Sequence, residues 1–162
     1  MSLINGTRQY LTFRLGDEIF AIDVANVREI LEFTSVTQVP KAPDYMKGVI
    51  NLRGSVVPVV DMRQKFEMSR TERTIDTCIV VVEVECGNEK IVMGALVDSV
   101  QEVFELEAAN IEPAPRIGTH VRSDFIKGMG KRDDGFIIIL DTSKVFSSDE
   151  LADLSEAQAV NQ

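Results

Sequence analysis

The chain has 162 residues and a mass of 18.0 kDa, room for one domain or for two very small ones sharing a core. Hydrophobic residues make up 44% and charged residues 27%, ordinary for a globular fold, while 26 acidic against 17 basic side chains leave a net charge of −9. That charge, with no Lys/Arg run, argues against sequence-independent binding to nucleic acid or anionic lipid, which rests on cationic side chains.

In chain order, Met1 to Asp17 shows no basic stretch followed by an apolar one, so no secretory leader is expected. Leu11, Phe13 and Leu15 alternate with polar residues and predict a strand. Gly16-Asp17 turns it into a second strand, Ile19 to Ile22, and Val24 to Val27 allows one helical turn at most. Val49–Leu52 and Val56–Val60 flank a tight hairpin at Arg53-Gly54-Ser55, where Gly54 supplies a positive φ. Pro58 within the second of these strands predicts an edge or a bulge. Glu67 to Thr74 is polar and reads as a link. Thr77 to Glu85 turns at Gly87-Asn88 into Ile91 to Val97, and a further hairpin turns at Asp133-Asp134-Gly135. Phe136–Leu140 is the longest clean apolar run, far short of the ~18 residues of a membrane span. Ser147 and Glu150 have capping-box spacing and open an expected C-terminal helix over 148–157.

The chain also repeats itself. Tyr45–Phe66 aligns without gaps on Phe125–Phe146, matching Lys47 with Lys127, Gly48 with Gly128, Asp61 with Asp141 and Val56 with Phe136. Val24, Val27, Glu29, Ile30 and Leu31 likewise face Val97, Val100, Glu102, Val103 and Phe104, and Ala42-Pro43 matches Ala114-Pro115. The second copy is longer in Arg116 to Asp124. The chain therefore reads as two copies of a unit of roughly 70 residues, too small to bury a good core alone. Short strands at regular spacing predict an all-β pair of small barrels packed together, with a groove between them suited to an elongated partner.

A search for chemistry finds little. His120 is the one histidine, so a Ser-His-Asp or Cys-His set has a single candidate base, in a loop. Cys78 and Cys86 would stand roughly 26 Å apart along an extended strand and read as idle thiols in a reducing compartment. Gly128-Met129-Gly130-Lys131 lacks the phosphate-loop pattern, and Asp133-Asp134-Gly135 lacks the later ligands of a calcium loop. Asp61 and Asp141 follow strands and are expected to cap turns. Glu29 and Arg53 stand out as charges among apolar residues. They read either as a pair on the groove wall that orients a partner, or as an exposed strand glutamate and a solvated turn arginine.

Phe13-Arg14-Leu15-Gly16-Asp17-Glu18, Val27-Arg28-Glu29-Ile30, Ile111-Glu112-Pro113-Ala114-Pro115 and above all Lys47 to Asp61, with its Asn51-Leu52-Arg53-Gly54 hairpin, resemble the CheW-like domain family. That family comprises chemotaxis coupling proteins and domains of the kinase CheA and the adaptor CheV. The resemblance runs from about Tyr10 to Leu154. It implies one CheW-like domain over 1–162, built of two SH3-like five-stranded barrels at approximately 10–72 and 75–146, with chain exchange allowed. It implies no enzymatic activity, cofactor or metal, and a cytoplasmic adaptor associated with receptor arrays. The implied partners are the chemoreceptor signalling tip and the regulatory domain of CheA. Carried over by position, Val27, Glu29, Gly48, Arg53 and Ile79 would face the receptor, and Val36, Thr37, Val39 and Met46 the kinase. The sequence departs at Cys78 and Ile79, where the family often carries valine. Two other readings stay open: an adaptor of another receptor–kinase pathway such as pilus-based motility, and an enzyme in which Asp61, Asp141, Glu29 and Glu102 converge with raised pKa.

Overall fold

The structure is a computed structural model that describes residues 7–33, 35–69, 71–86, 88–113, 125–132 and 135–146. The expected helix at 148–157 with its Ser147/Glu150 cap, the Arg116–Asp124 stretch with His120, Ala114-Pro115, and Asp133-Asp134 lie outside the described residues.

The fold is all-β, as expected. Strands β1 (Thr7–Leu15) and β2 (Glu18–Asp23) form a hairpin, and a 3-10 turn at Val24–Asn26 leads to β3 (Val27–Glu32). Then come β4 (Met46–Leu52), β5 (Ser55–Asp61) and a one-turn helix α1 (Met62–Lys65). The second half follows with β6 (Cys78–Cys86), β7 (Glu89–Val97) and β8 (Ser99–Glu107). It ends with β9 (Ile111–Glu112), β10 (Ile126–Arg132), β11 (Gly135–Leu140) and α2 (Thr142–Val145). No helix among the described residues is long and apolar enough to cross a membrane.

The strands form two sheets, ordered β3-β6-β7-β5-β4 and β9-β10-β11-β2-β1-β8. Apart from the short β9, the order is the same in both. The register agrees too: parallel β5 and β7 pair Val59 with Gly94, and parallel β11 and β2 pair Ile139 with Ala21. The duplication read in the sequence is thus a duplication of topology, but the copies exchange hairpins. β1–β2 joins the strands of the second copy, and β6–β7 joins those of the first, so the 10–72 and 75–146 division cuts across both sheets.

Connection length accounts for the exchange. β8 is antiparallel to β1, and so runs parallel to β2. Were β3 to take that place beside its own hairpin, the chain would need a crossover of a dozen residues or so from the end of β2. Three residues, Val24–Asn26, are available. Asp98 alone separates β7 from β8. Each link is long enough only to pass straight into the other sheet. Asp98 is fastened there: its carboxylate accepts from Gly16 N at 2.9 Å and Arg63 Nε at 2.8 Å, and its N–H donates to Arg14 O at 3.1 Å.

Each sheet curls shut by the same device. The chain beyond β3 returns to pair Thr37 with Val49 on β4, with N–H···O bonds of 2.9 and 2.8 Å. Beyond β8 it returns as β9, which pairs Ile111 and Glu112 with β10. Equivalent glycines stand at both closures. A Cβ on Gly48 would strike Thr37 O, and one on Gly128 would strike Ile111 Cγ2 and lie 2.9 Å from Glu112 O. Pro58 lies at a local sheet edge and not at the bulge. The bulge is on β4 between Met46 and Gly48, and β5 acquires its second neighbour only at Val59, so Pro58 stands where no donor is needed.

Alternation sorts the apolar side chains into three clusters. Ile50, Val57, Val59, Ile79, Val81 and Leu96 fill one barrel, and Tyr10, Ala21, Leu106, Ile137 and Ile139 the other. The largest cluster lies between the barrels and draws on both, including Phe13, Phe20, Phe66, Val80, Val82, Phe125 and Phe146. Phe13, Phe20, Phe66 and Phe125 form a chain of rings 5.6–6.1 Å apart across that boundary. Buried Lys65 lies with its ammonium 4.5 Å from the Tyr45 ring and 5.3 Å from that of Phe125, two repeat-equivalent positions. The barrels share one core, which each lacks the size to build alone.

Asp61 and Asp141 are the N-caps of α1 and α2. Asp61 is fully buried. Its carboxylate accepts from Arg63 N (3.0 Å), and from the N–H (3.1 Å) and hydroxyl (2.7 Å) of Thr71, tying the link between the repeats to the end of β5. Asp61→Ala removes the cap and leaves two buried Thr71 donors without an acceptor, so a loss of about 3 kcal/mol is expected in urea unfolding. Asp61→Asn keeps an acceptor oxygen and should lose less; equal losses would remove this account.

Candidate docking face

The β4–β5 turn has two residues, Arg53 and Gly54, with φ of 51° and 87°. Both are positive, as a type I′ turn requires to match the twist of its strands. Asn51 Oδ1 accepts from Gly54 N at 2.9 Å and holds the turn. Arg53 is thereby carried at a strand end with its side chain 73% exposed. Across the barrel, Glu29 lies on β3 just past a bulge that falls between Val27 and Glu29. Arg53 Nη1 donates to Glu29 Oε2 at 2.7 Å and Nη2 to Oε1 at 2.9 Å, a two-pronged pair. β3 and β4 are the outer strands of their sheet, so the pair spans the same closure as the Thr37–Val49 bridge. The hydrogen bonds from Arg53 hold the Glu29 carboxyl below the usual range, and Glu29 reciprocally raises Arg53.

Apolar side chains are exposed on the strands that carry the pair. Ile30 and Val56 are exposed to 45% and 63%. Ile30 stands opposite Val80, whose side chain enters the inter-barrel core, and Val56 lies on the face of β5 that carries Val60 into it. The two continue the shared core onto the surface. Their repeat equivalents Val103 and Phe136 are also exposed, at 51% and 53%. The sequence alignment matched these four as apolar positions without showing that they face solvent. Their recurrence in both copies beside polar turns was the signal.

The structure brings only part of the expected set to this surface. Val27 is half-buried against the inter-barrel core. Gly48 and Ile79 are buried, the first under Thr37 and the second inside the barrel against Gly94. Gly48 lets the barrel close and Ile79 fills it. Of the residues expected to face the kinase, Thr37 is exposed, Val36 and Val39 are half-buried, and Met46 is buried in the shared core. Ile79→Ala should therefore lower stability by about 2–5 kcal/mol, and any loss of binding should affect every partner alike. A receptor-specific defect at full stability would contradict that placement.

Between the barrels, among the described residues, a gap lined by Phe13, Val80, Val97 and Phe146 amounts to ≈10 Å³, room for about one water. The four carboxylates of the enzyme reading are dispersed: Asp61 and Asp141 cap different helices, Glu29 is paired to Arg53, and Glu102 is exposed on β8 in the other sheet. The lowered Glu29 is the reverse of what a general acid needs. Among the described residues no three His, Cys, Asp or Glu side chains gather to hold a metal. Cys78 is a free thiol at the opposite end of β6 from Cys86.

Two hairpin-exchanged barrels with an exposed ion pair, and exposed apolar residues on the strands that carry it, fit a scaffold of the adaptor class. The chain belongs to the CheW-like domain family, whose profile matches residues 9–150. It is 36% identical to the chemotaxis protein CheW of Rhizobium meliloti, covering 91% of this chain and 93% of that one. It is 35% identical to the CheW of Klebsiella aerogenes, covering 90% and 85%. The crystal structure of the scaffolding protein TtCheW from Thermoanaerobacter tengcongensis superposes with a TM-score of 0.78 at 30% identity, over 93% of this chain and 94% of that one. The protein is thus a non-enzymatic chemotaxis adaptor.

Proposed function

We propose that the protein couples the cytoplasmic signalling tips of chemoreceptors to the regulatory domain of the histidine kinase CheA, in an array held beneath the membrane. The observation that carries this reading is the exposed Glu29–Arg53 pair flanked by Ile30 and Val56. A receptor tip is a helical hairpin, and an amphipathic helix lays apolar anchors on such a surface while the charges fix its orientation. Thr37, Val36 and Val39, on the segment that closes the same barrel, supply the kinase-facing edge, so both partners meet on one rigid body. A small contact of this kind stays reversible, and repetition in an array supplies avidity.

The test is kinase activity with and without a receptor cytoplasmic fragment, together with binding to each partner singly. Receptor-dependent change in kinase activity that requires this protein is expected. A folded sample that binds neither partner would dispose of the reading.

A further inference from the structure

We propose that a pocket at the end of the first-copy barrel receives an acidic side chain of the kinase partner, an inference that rests on the kinase-facing reading above. The pocket, about 430 Å³, lies between Phe33, Lys47, Arg73 and the buried Leu96. In a chain of net charge −9 it holds two cations, and among the described residues neither is ion-paired. Arg73 holds its guanidinium carbon over the Phe33 ring, 4.7 Å from the centroid. The ring contact restrains the group while no hydrogen bond from its N–H donors to a described residue uses them up, which leaves the fork available to a carboxylate. Phe33 and Leu96 make one wall apolar, which strengthens any charge pair formed against it.

The occupant follows from position and from charge. Lys47 immediately precedes Gly48, which packs under Val36 and Thr37, and Phe33 precedes that segment in the chain, so the pocket takes its lining from both sides of the kinase-facing edge. Glu72 also lines it and offsets one of the two cations. The balance of one positive charge suits a single Asp or Glu from a protein surface, not a polyanion.

Three variants of the full chain test this against the CheA regulatory domain, with a receptor fragment as the second ligand. Arg73→Glu should weaken kinase binding about tenfold and leave receptor binding unchanged. Glu72→Gln, which removes the competing carboxylate, should tighten it, an opposite sign that a merely structural role does not produce. Lys90→Glu, exposed on the distant β6–β7 hairpin, should change neither. If the unaltered protein binds the kinase and both pocket variants bind it equally well, the pocket is not the site. If inorganic phosphate alone saturates the Arg73 side-chain resonance at micromolar concentration, the pocket is a small-anion site and the inference is overturned. An unaltered protein that fails to bind the kinase would instead remove the functional reading itself.

Discussion

Gly48→Ala should destabilise the protein by about 3–5 kcal/mol, a large part of the 5–15 kcal/mol that holds a typical domain folded. Two costs combine. Gly48 has φ of 149°, a conformation L side chains rarely adopt. The new Cβ would also meet Thr37 O, lie 2.8 Å from Thr37 C and 2.7 Å from Val36 Cγ1. Two of those atoms belong to the backbone and cannot rotate aside. The strand would have to withdraw, breaking the 2.8 and 2.9 Å bonds between Thr37 and Val49 that close the barrel. A fall in the urea midpoint at nearly constant slope is expected, with binding of both partners lost in proportion to the unfolded fraction. Gly128→Ala is the control. A Cβ there also meets backbone, Glu112 O at 2.9 Å, but Gly128 is not among the glycines of positive φ, so only one of the two costs applies and a smaller loss is expected. A Gly48→Ala protein within 1 kcal/mol of the parent would falsify the closure argument.

Arg53→Glu should have the opposite profile, with the fold intact and coupling lost. Arg53 is exposed, and its backbone conformation is set by a turn that Asn51 holds independently. Reversal puts two carboxylates face to face at the rim of the barrel, beside Ile30 and Val56. Receptor-fragment affinity should drop at least about tenfold, with receptor control of the kinase lost and the unfolding midpoint unchanged. The double exchange Glu29→Arg with Arg53→Glu separates two roles. It restores the pair but reverses the sign presented to the partner, so coupling should remain impaired. Full recovery would mean the pair acts only within the barrel. The ionisation of the pair gives an independent check. Because hydrogen bonds from Arg53 hold the Glu29 carboxyl low, Glu29 should keep its charge to a lower pH than a glutamate in a model peptide, and its carboxyl carbon resonance should report that low midpoint. In Arg53→Gln its midpoint should move up towards the peptide value.

The parts of this site differ in how far the sequence announces them. The hairpin at Arg53-Gly54 is legible because a two-residue turn needs positive φ and the sequence supplies a glycine between apolar runs. The partner of Arg53 is not, since spacing along a strand says nothing about which strand lies opposite. Glu29 stood out as a charge in an apolar run, but the residues alone left open whether it paired with Arg53 or stood solvated. The family resemblance carried over Gly48, Ile79 and Met46 as contact residues, and the structure buries all three, Gly48 at the closure and the other two in the core. A position that keeps a site in shape and a position that touches the partner look alike in one chain. Ile30 and Val56 show the converse, apolar strand residues that packing leaves in solvent.

The duplication, the hairpin strands, the matched Gly48 and Gly128 and the caps at Asp61 and Asp141 were all legible in the chain, because each rests on residues close together or on a repeat of them. Tertiary structure alone decided which hairpin completes which barrel, which apolar residues were covered, and that Glu29 meets Arg53. Strand pairing joins residues far apart in sequence, and the two hairpins are interchangeable until short links at Val24–Asn26 and Asp98 force each into the opposite sheet.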